Sequence, residues 1–385
     1  MKTLLARFAA AVLALSLPFS AAFAQALPPP TVAAKSWLLQ DVTSGQTIAA
    51  NNADMRIEPA SLVKLMTAYL AFEALKDKKL TLDQMIQVSE RAWKVDPSSS
   101  KMFIEPRVPV SFGDLLYGVI VQSGNDASVA VAEAVAGTEE AFVVLMNREA
   151  QRMGMKSSHF ANAHGLPSPD NYSTAHDLGI LATRLIADHP DSYKMYSTKS
   201  FTYNKITQQN RNRLLWLDPT VDGMKTGHTQ ASGYSLVASA KRPNGSGERR
   251  MISVVLGTNS DQQRAQESQK LLNWGFQNFD TVKLYAKDAP VATPEIWKGT
   301  QNQIKLGFNR DVFVTVPRGT ADKMKPVLER RDPLVAPVAA NSQVGMLKMV
   351  ADGKTLAEFP LLALEQVNQA SIFGRAWDSI RLWLK

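Results

Sequence analysis

Two side chains near residue 60 have the types and spacing of a nucleophile and its base. Ser61 and Lys64 lie three positions apart in an apolar stretch, and on a helix such residues are neighbours, with Cβ atoms roughly 5–6 Å apart. A serine hydroxyl becomes a useful nucleophile only when a base removes its proton. An amine can do this only when burial or a nearby cation keeps it neutral. The pair therefore predicts serine acyl transfer with lysine as the base, and a second cation close to Lys64.

A second segment, Ser123-Gly124-Asn125, supplies polar groups that such a reaction needs. We expect Ser123 to relay a proton to the leaving amine, and Asn125 to orient Lys64 and bind a substrate amide. The segment lies between two predicted apolar helices, so it is expected to form a loop that faces a cleft. The alternative is a Ser/Asn helix cap, which is a commoner use of these residues.

The third segment is Lys225-Thr226-Gly227-His228-Thr229, which precedes a strand-rich region. We expect Lys225 to be the second cation, and Gly227 to let an extended substrate approach and pair with this strand. The backbone N–H groups of Ser61 and His228 would form the oxyanion hole. The alternative is a strand end that enters a turn and has no catalytic role.

The chain contains a second Ser-x-x-Lys pattern, at Ser98 and Lys101. This copy lies in a Pro-Ser-Ser-Ser loop without an apolar helix after it, so we expect it to have no catalytic role. Its presence shows that the four-residue spacing alone is not specific. The prediction depends on the three segments occurring together and in this order.

The composition indicates an exported, globular protein of two domains. The chain has 385 residues, 45% hydrophobic and 20% charged, which is typical of folded proteins and long for one domain. Residues 1–24 combine Lys2 and Arg7 with a short apolar run and an Ala-Phe-Ala sequence, as in a signal peptide. An uncleaved membrane anchor is the alternative. Removing the two cations Lys2 and Arg7 lowers the formal charge from +8 to +6, and the absence of cysteine means that packing alone holds the fold.

We expect neither a nucleic-acid partner nor a metal or other cofactor. The basic residues are not gathered on one helix or interleaved with aromatic residues, as they are in nucleic-acid-binding proteins. His159, His164 and His176 lack a convincing metal-ligand spacing, and no thiolate is available. The positive charge instead suits anionic lipid headgroups and cell-wall polymer.

Hydrophobic periodicity predicts a mostly helical region between two sets of strands. A hairpin is expected at residues 36–41 and 47–50, and long buried strands at 233–240 and 250–257. Helices are expected at residues 61–74, 112–121, 127–136, 139–153, 175–186 and 262–276.

The pattern changes near residue 282, where short strands replace helices. We expect a catalytic domain at residues 25–282 and a small antiparallel β domain at 283–366, with a hairpin that turns at Asp352-Gly353. In residues 367–385, aromatic and aliphatic side chains occupy one helical face opposite basic residues, which is typical of a helix lying in a membrane interface. An ordinary helix packed on the β domain is the alternative.

Several segments together resemble the serine penicillin-recognising enzymes. The resemblance is closest to low-molecular-mass penicillin-binding proteins that are D-alanyl-D-alanine carboxypeptidases of the peptidase S11 type. The matching segments are residues 59–65, 122–127, 159–166, 210–216, 221–229 and 252–257. This likeness implies an α+β fold of the penicillin-binding protein and β-lactamase type, with an antiparallel sheet, a helical subdomain and then the β domain and terminal helix.

The resemblance also implies a substrate and further roles. Ser61 would attack the carbonyl between the two terminal D-alanines of a peptidoglycan stem peptide, and water would hydrolyse the acyl-enzyme. β-Lactams would acylate the same serine as covalent inhibitors. Arg211 and Arg250 would bind the substrate carboxylate, with Thr226 and Thr229 alongside. For both arginines a surface ion pair is the alternative.

Other functions remain open at this point. A class A-like β-lactamase needs a glutamate that activates the deacylating water, and no glutamate occurs between Glu149 and Glu248. A non-catalytic cell-wall scaffold would need no nucleophile and base. The sequence does not separate carboxypeptidase from endopeptidase or transpeptidase activity. His164 is expected to be mainly structural and Asp177 to lie behind the site, and the implied location is the periplasmic face of the inner membrane, with the terminal helix as anchor.

Overall fold

The computed structural model describes residues 28–244 and 247–384, which form an α+β unit, an all-β unit and a terminal helix. The α+β fold and the order of the units confirm the fold predicted from the sequence. The signal peptide predicted at residues 1–24 lies outside the described residues.

Nine strands and nine helices are described in the first unit. The strands are β1 (Ser36–Asp41), β2 (Thr47–Asn51), β3 (Met85–Ile86), β4 (Val110–Ser111), β5 (Ser200–Tyr203), β6 (Ile206–Gln209), β7 (Val221–Thr229), β8 (Gly233–Asn244) and β9 (Gly247–Thr258). The helices are α1 (Lys64–Lys76), α2 (Glu90–Trp93), α3 (Phe112–Tyr117), α4 (Asn125–Ala136), α5 (Glu139–Met153), α6 (Ala175–Asp188), α7 (Pro190–Tyr193), α8 (Leu214–Leu217) and α9 (Asp261–Asn278).

A five-stranded antiparallel sheet organises this unit, with the order β2-β1-β9-β8-β7. Successive side chains of a strand point to opposite faces. On one face Val237 and Val254 join the core formed with α1 and α6, and on the other Leu236 and Val255 pack with Leu272 of α9. Because both faces are buried, β8 and β9 carry the continuous apolar runs that predicted a buried sheet. Strand β7 lies at the edge of this sheet.

The predicted helices are present, and α5 has the predicted bounds, residues 139–153. Both of its ends carry cap signals that can be read in sequence. The Thr138 hydroxyl accepts the Ala141 N–H at 3.1 Å, and Gly154 adopts the left-handed conformation with φ 86°, which suits glycine after a helix.

Two helices next to Ser61 and Ser123 differ from the prediction. The expected helix at residues 61–74 opens with a 3₁₀ turn, Ala60–Val63, and α1 begins only at Lys64. A 3₁₀ turn has three residues per turn, so it brings side chains at i and i+3 into line. The expected helix at 112–121 ends as α3 at Tyr117 and continues as a π-helical turn, Gly118–Gln122, that delivers Ser123.

The second unit consists of short strands around its own core. Its strands are β10 (Phe279–Tyr285), β11 (Pro290–Ala292), β12 (Ile296–Trp297), β13 (Leu306–Gly307), β14 (Val312–Pro317), β15 (Lys325–Arg330), β16 (Leu334–Val335), β17 (Gln343–Ala351) and β18 (Lys354–Ala363). The predicted hairpin is confirmed, because Asp352 and Gly353 join β17 to β18 with φ of 49° and 75°. Strand β10 pairs with β14, so the boundary expected after residue 282 falls within a strand of the second unit.

The terminal helix, α10 (Ile372–Trp383), turns its apolar side outward. Phe373 is 88% exposed and Trp383 85% exposed. Its polar side contacts the β unit, where a carboxylate oxygen of Asp378 accepts the Lys298 N–H at 2.6 Å and the Arg381 guanidinium lies 5.3 Å from the Trp297 ring centroid. Within the described residues, no helix has the length and apolar character needed to cross a membrane.

Candidate active site

The predicted nucleophile and base are in contact. Ser61 lies in the 3₁₀ turn and Lys64 is the first residue of α1. The Lys64 Nζ is 3.1 Å from the Ser61 Oγ and 2.7 Å from the Asn125 Oδ1, and it also bonds to the carbonyl oxygen of His164. The side chain of Lys64 is buried, with 1% exposed.

The surroundings of Lys64 favour a neutral amine. Burial lowers its pKa to about 7, and the charge of Arg211 acts in the same direction, whereas Asp126 opposes it. A neutral amine has two N–H donors and one lone pair. If the donors serve Asn125 and the His164 carbonyl, the lone pair remains for the hydroxyl proton of Ser61.

Lys225 occupies the opposite side of the site, on β7. Its Nζ donates to the Ser123 Oγ at 2.8 Å and to its neighbour's carbonyl, that of Thr226, at 3.2 Å. Burial holds the pKa of Lys225 well below its usual value, and the charge of Lys64 lowers it further. Burial is therefore the first cause of the lowered pKa of Lys64, and Arg211 is the cation that adds to it, whereas the repulsion between Lys64 and the predicted second cation, Lys225, lowers the pKa of Lys225.

Ser123 and Asn125 reach the site from the junction between the π-helical turn and α4. Ser123 adopts a left-handed conformation with φ 60°. The N-cap of α4 is Gly124, with no side-chain cap, so the helix-cap alternative does not hold for either residue. The side chain of Asn125 instead accepts from Lys64, as predicted.

The edge strand β7 lines the cavity with Thr226, Gly227, His228 and Thr229. A Cβ on Gly227 would lie 2.8 Å from the carbonyl oxygen of Pro59. The glycine is thus required where β7 packs on the turn that carries Ser61, which is a different reason from the substrate approach that we expected.

These elements enclose a cavity of about 350 Å³ beside Ser61. It brings together most of the predicted site residues. The cavity is lined by Ser61, Ser98, Ser99, Ser100, Ser123, Asn125, His164, Gly165, Leu166, Arg211, Thr226, Gly227, His228, Thr229, Tyr234 and Arg264. Within residues 28–244 and 247–384 no group of three His, Asp or Glu side chains is arranged to hold a metal ion.

The two arginines predicted to bind a carboxylate have different surroundings. Arg211 lines the cavity, is exposed to solvent there, and has no ion pair within the described part of the chain. Arg250 does not line the cavity. Its guanidinium pairs with both carboxylate oxygens of Asp222 at 2.7 Å and donates to the Ser239 hydroxyl at 2.6 Å, so Arg250 is not available to a substrate.

Sequence reasoning missed the polar groups that tertiary structure brings to the cavity. Arg264 of α9 donates to the Gly227 carbonyl at 3.3 Å and pairs with Asp261, a spacing that in sequence indicates only a surface ion pair on a helix. Tyr234, from β8, lies with its ring centroid 4.0 Å from that of His228. No local motif marks either residue.

His164 and Asp177 have the supporting positions that the sequence suggested. The Nδ1 of His164 accepts the Leu166 N–H at 3.1 Å. Asp177 accepts the Ser157 N–H at 2.9 Å and the Ser158 hydroxyl at 2.7 Å, and it does not line the cavity.

The sequence and the fold are similar to those of known proteins. Residues 23–260 match the peptidase S11 family, D-alanyl-D-alanine carboxypeptidase, and residues 279–369 match the penicillin-binding protein 5 C-terminal domain. The chain belongs to the D-alanyl-D-alanine carboxypeptidase family.

Individual members of the carboxypeptidase family match over most of the chain. The chain is 43% identical to D-alanyl-D-alanine carboxypeptidase DacC of Escherichia coli over 378 residues, which cover 97% of this chain and 94% of the relative. Penicillin-binding protein 5 from Haemophilus influenzae has a similar structure, with a TM-score of 0.86 and 42% identity over 89% of this chain and all of that one. Penicillin-binding protein D2 from Listeria monocytogenes, in its cefotaxime-bound form, has a TM-score of 0.59 and 31% identity over 65% of this chain and 99% of that one.

Proposed function

We propose that the chain acts on peptidoglycan stem peptides as a serine D-alanyl-D-alanine carboxypeptidase, with Ser61 as nucleophile and Lys64 as its base. The observation that carries this proposal is the 3.1 Å contact between the Lys64 Nζ and the Ser61 Oγ, at a buried amine whose pKa is lowered to about 7. Because two other acceptors engage the amine, its lone pair is directed at the hydroxyl.

Acylation begins when the Ser61 oxygen attacks the carbonyl carbon between the last two residues of the peptide. The hydroxyl proton passes to the amine of Lys64 as the new C–O bond forms. Negative charge develops on the carbonyl oxygen, and the backbone N–H groups of Ser61 and His228, which both border the cavity, would stabilise it.

The second half of acylation expels the terminal D-alanine. Its amine needs a proton, and Ser123 is the group that can relay one from Lys64, because its hydroxyl is held in the cavity by Lys225 at 2.8 Å. The C–N bond breaks, the amino acid leaves, and the acyl group remains on Ser61. Water then attacks the ester, with Lys64 again as the base, and restores the free serine.

The free carboxylate of the substrate is expected to bind at Arg211, on the wall of the cavity. Arg211 is unpaired and accessible there, and a guanidinium bonds a carboxylate through two parallel N–H groups. The hydroxyls of Thr226 and Thr229 lie nearby on β7, although the Thr229 hydroxyl also donates to Glu58 at 3.0 Å. The position of β7 at the edge of the sheet, beside the cavity, suits an extended peptide that pairs with it as an added strand.

β-Lactams would acylate Ser61 in the same way and be released slowly. Deacylation by a dedicated carboxylate is not favoured, since among the described residues no glutamate or aspartate lines the cavity. Fast β-lactam hydrolysis is therefore not expected, and turnover of a chromogenic β-lactam at many per second would contradict this part of the proposal.

The decisive experiment combines a product assay with mass spectrometry. Purified protein should release free D-alanine from a pentapeptide ending in D-Ala-D-Ala, and benzylpenicillin should add its mass to a tryptic peptide that contains Ser61. A folded protein that forms no adduct and releases no D-alanine would instead support the scaffold alternative.

For the location of the protein, we propose export to the periplasm and attachment to the inner membrane through α10. The outward apolar side of α10, with Phe373 and Trp383 almost fully exposed, supports this over the alternative of a helix packed by its apolar side on the β unit. Aromatic side chains opposite basic ones suit the boundary between headgroups and acyl chains.

Membrane attachment is tested by removing residues 371–385 and, separately, by combining Phe373→Asp with Trp383→Asp. Both changes should move the protein from the membrane pellet to the supernatant while D-alanine release continues at its usual rate. The matched control is Arg375→Gln, which leaves the apolar side intact and should remain in the pellet. Retention of both altered proteins in the pellet would mean that attachment lies elsewhere.

A further inference from the structure

A buried carboxylate behind the cavity has no part in the chemistry described so far. Glu139 is the first residue of α5 and is only 5% exposed, whereas Glu140 beside it is on the surface. Glutamate is almost never buried unless it is paired and hydrogen-bonded. One of its oxygens, Oε2, accepts from a guanidinium nitrogen of Arg91 at 2.6 Å.

The other oxygen of Glu139 holds the chain at residues 163 and 164. Its Oε1 accepts the Ala163 N–H at 3.1 Å and lies 3.4 Å from the Nε2 of His164. Because Nδ1 accepts the Leu166 N–H, the ring proton is on Nε2 and points toward the carboxylate. Burial lowers the pKa of His164 to about 3, so the ring is neutral at the pH of function.

The same two residues face α1 on their other side. The Thr67 hydroxyl donates to the Ala163 carbonyl at 2.6 Å, and Lys64 donates to the His164 carbonyl. The next residue, Gly165, is packed so closely on the nucleophile's turn that a Cβ there would lie 1.9 Å from the Ala60 carbonyl oxygen. The segment is therefore held by Glu139 from behind and by α1 from the front.

We propose that Glu139 is a positioning residue for acylation, which holds the His164 carbonyl against the amine of Lys64. The inference rests on the proposed role of Lys64 as the base. With the carbonyl fixed, one N–H of the amine is committed to it and the other to Asn125, so the lone pair faces Ser61. Without the carboxylate, the segment loses its buried acceptor and the amine is free to rotate away from the hydroxyl.

Removing the carboxylate of Glu139 should also shift the pH dependence of acylation. Arg211 lowers the pKa of the amine and Asp126 raises it, while the ring of His164 is neutral and Glu139 itself is paired with Arg91. A carbonyl bonds an ammonium more strongly than an amine. Loosening the carbonyl weakens the bond that favours the ammonium, so it should lower the pKa of Lys64 and move the acid limb of the pH–rate profile of acylation to lower pH.

The test measures the second-order rate constant for acylation of the full chain by benzylpenicillin from pH 5 to pH 9. For Glu139→Ala we expect acylation to be about tenfold slower or worse, which corresponds to the loss of one buried hydrogen bond to a charged group, with the acid limb shifted to lower pH. Glu139→Gln keeps an acceptor for Ala163 and should show a smaller loss and a smaller shift in the same direction. The matched control is Glu140→Ala, which removes a carboxylate from the same turn of α5 and should leave both readouts unchanged.

Two results would overturn the inference. One is a folded Glu139→Ala protein, checked by its unfolding temperature, that acylates at the wild-type rate. The other is a slower rate with an unmoved acid limb, which is what a purely structural role produces. If Glu139→Ala does not fold, an unmoved limb in Glu139→Gln overturns it. Failure of the wild-type protein to be acylated at Ser61 would overturn the proposed function instead, so the two failures are distinguishable.

Discussion

The chain contains the pattern Ser-x-x-Lys twice, and serines of both copies line the same cavity, yet their surroundings differ. In the first copy the amine of Lys64 is buried and contacts Ser61. In the second, the Ser98 hydroxyl donates to the carboxylate of Asp96 at 2.8 Å. Within the described residues, no hydrogen bond joins Ser98 to Lys101.

The difference shows what the spacing does and what it leaves to the fold. Three positions in a 3₁₀ turn or a helix bring a lysine within reach of a serine, but a lysine becomes a base near neutral pH only when burial or a nearby cation lowers its pKa. Only in the first copy is the amine of the lysine buried, by α1, α4 and the segment that contains His164. Burial, rather than spacing, separates the reactive pair from the inert one.

The largest expected effect is the difference between replacing Ser61 and replacing Ser98. Ser61→Ala should lower D-alanine release by at least about 10⁴-fold, because no other group can form the acyl intermediate, and it should abolish the penicillin adduct. In Ser98→Ala, whose hydroxyl is already engaged by Asp96, release should stay within about threefold of wild type. Adduct formation in Ser61→Ala would show that the nucleophile has been assigned to the wrong residue.

Replacement of Lys64 and replacement of Lys101 should differ almost as much in their effect on the acylation rate. Lys64→Met removes the base but keeps most of the side-chain volume, and should slow acylation by about 10²–10⁴-fold. Lys101→Met, at the same position in the second copy, should acylate within about twofold of wild type. Stopped-flow measurement of acylation by a β-lactam checks both variants, and equal rates for the two would show that Lys64 is not the base.

A smaller effect is expected from replacing Arg211, the cation beside the Ser61–Lys64 pair. Arg211→Gln should raise the KM for a D-Ala-D-Ala peptide by about 10–100-fold, the usual cost of a hydrogen bond to a charged group. Because Arg211 lowers the pKa of Lys64, its removal should also raise that pKa and shift the acid limb of acylation to higher pH. Steady-state kinetics at several pH values measure both quantities.

The matched control for Arg211 is Arg213→Gln. Arg213 lies two residues away and pairs with Asp261 at the surface, at 3.4 Å, so its change should leave the KM and the acid limb where they are. An unchanged KM in Arg211→Gln would mean that the substrate carboxylate is bound by another group, with Arg264 as the next candidate on the cavity wall.

The sequence predicts best what local rules decide. The bounds of α5 follow from Thr138 and Gly154 at its ends, and the turn at Asp352 and Gly353 follows from their tolerance of positive φ. The three polar segments also reach the cavity as predicted, because each is short; they supply Ser61, Ser123, Asn125 and residues 226–229 of its lining.

What the sequence misses depends on contacts between distant segments. The loop at residues 98–104 becomes a wall of the cavity because the carboxylate of Asp126 accepts three of its backbone N–H groups, at 2.8–3.2 Å. Arg250 fails as a carboxylate ligand because Asp222, across the sheet on β7, already holds it. Neither arrangement leaves a periodic or local signal, and burial of Lys64, on which the chemistry depends, is likewise a property of the assembled core.

The pH dependence of acylation in the wild-type protein tests the central claim most directly. With benzylpenicillin in the second-order regime, the rate constant should rise between pH 5 and pH 8 and reach half of its plateau at about pH 7, where the amine of Lys64 loses its proton. A rate constant that does not change over this range, or a half-plateau above pH 9, would show that a neutral Lys64 is not the base.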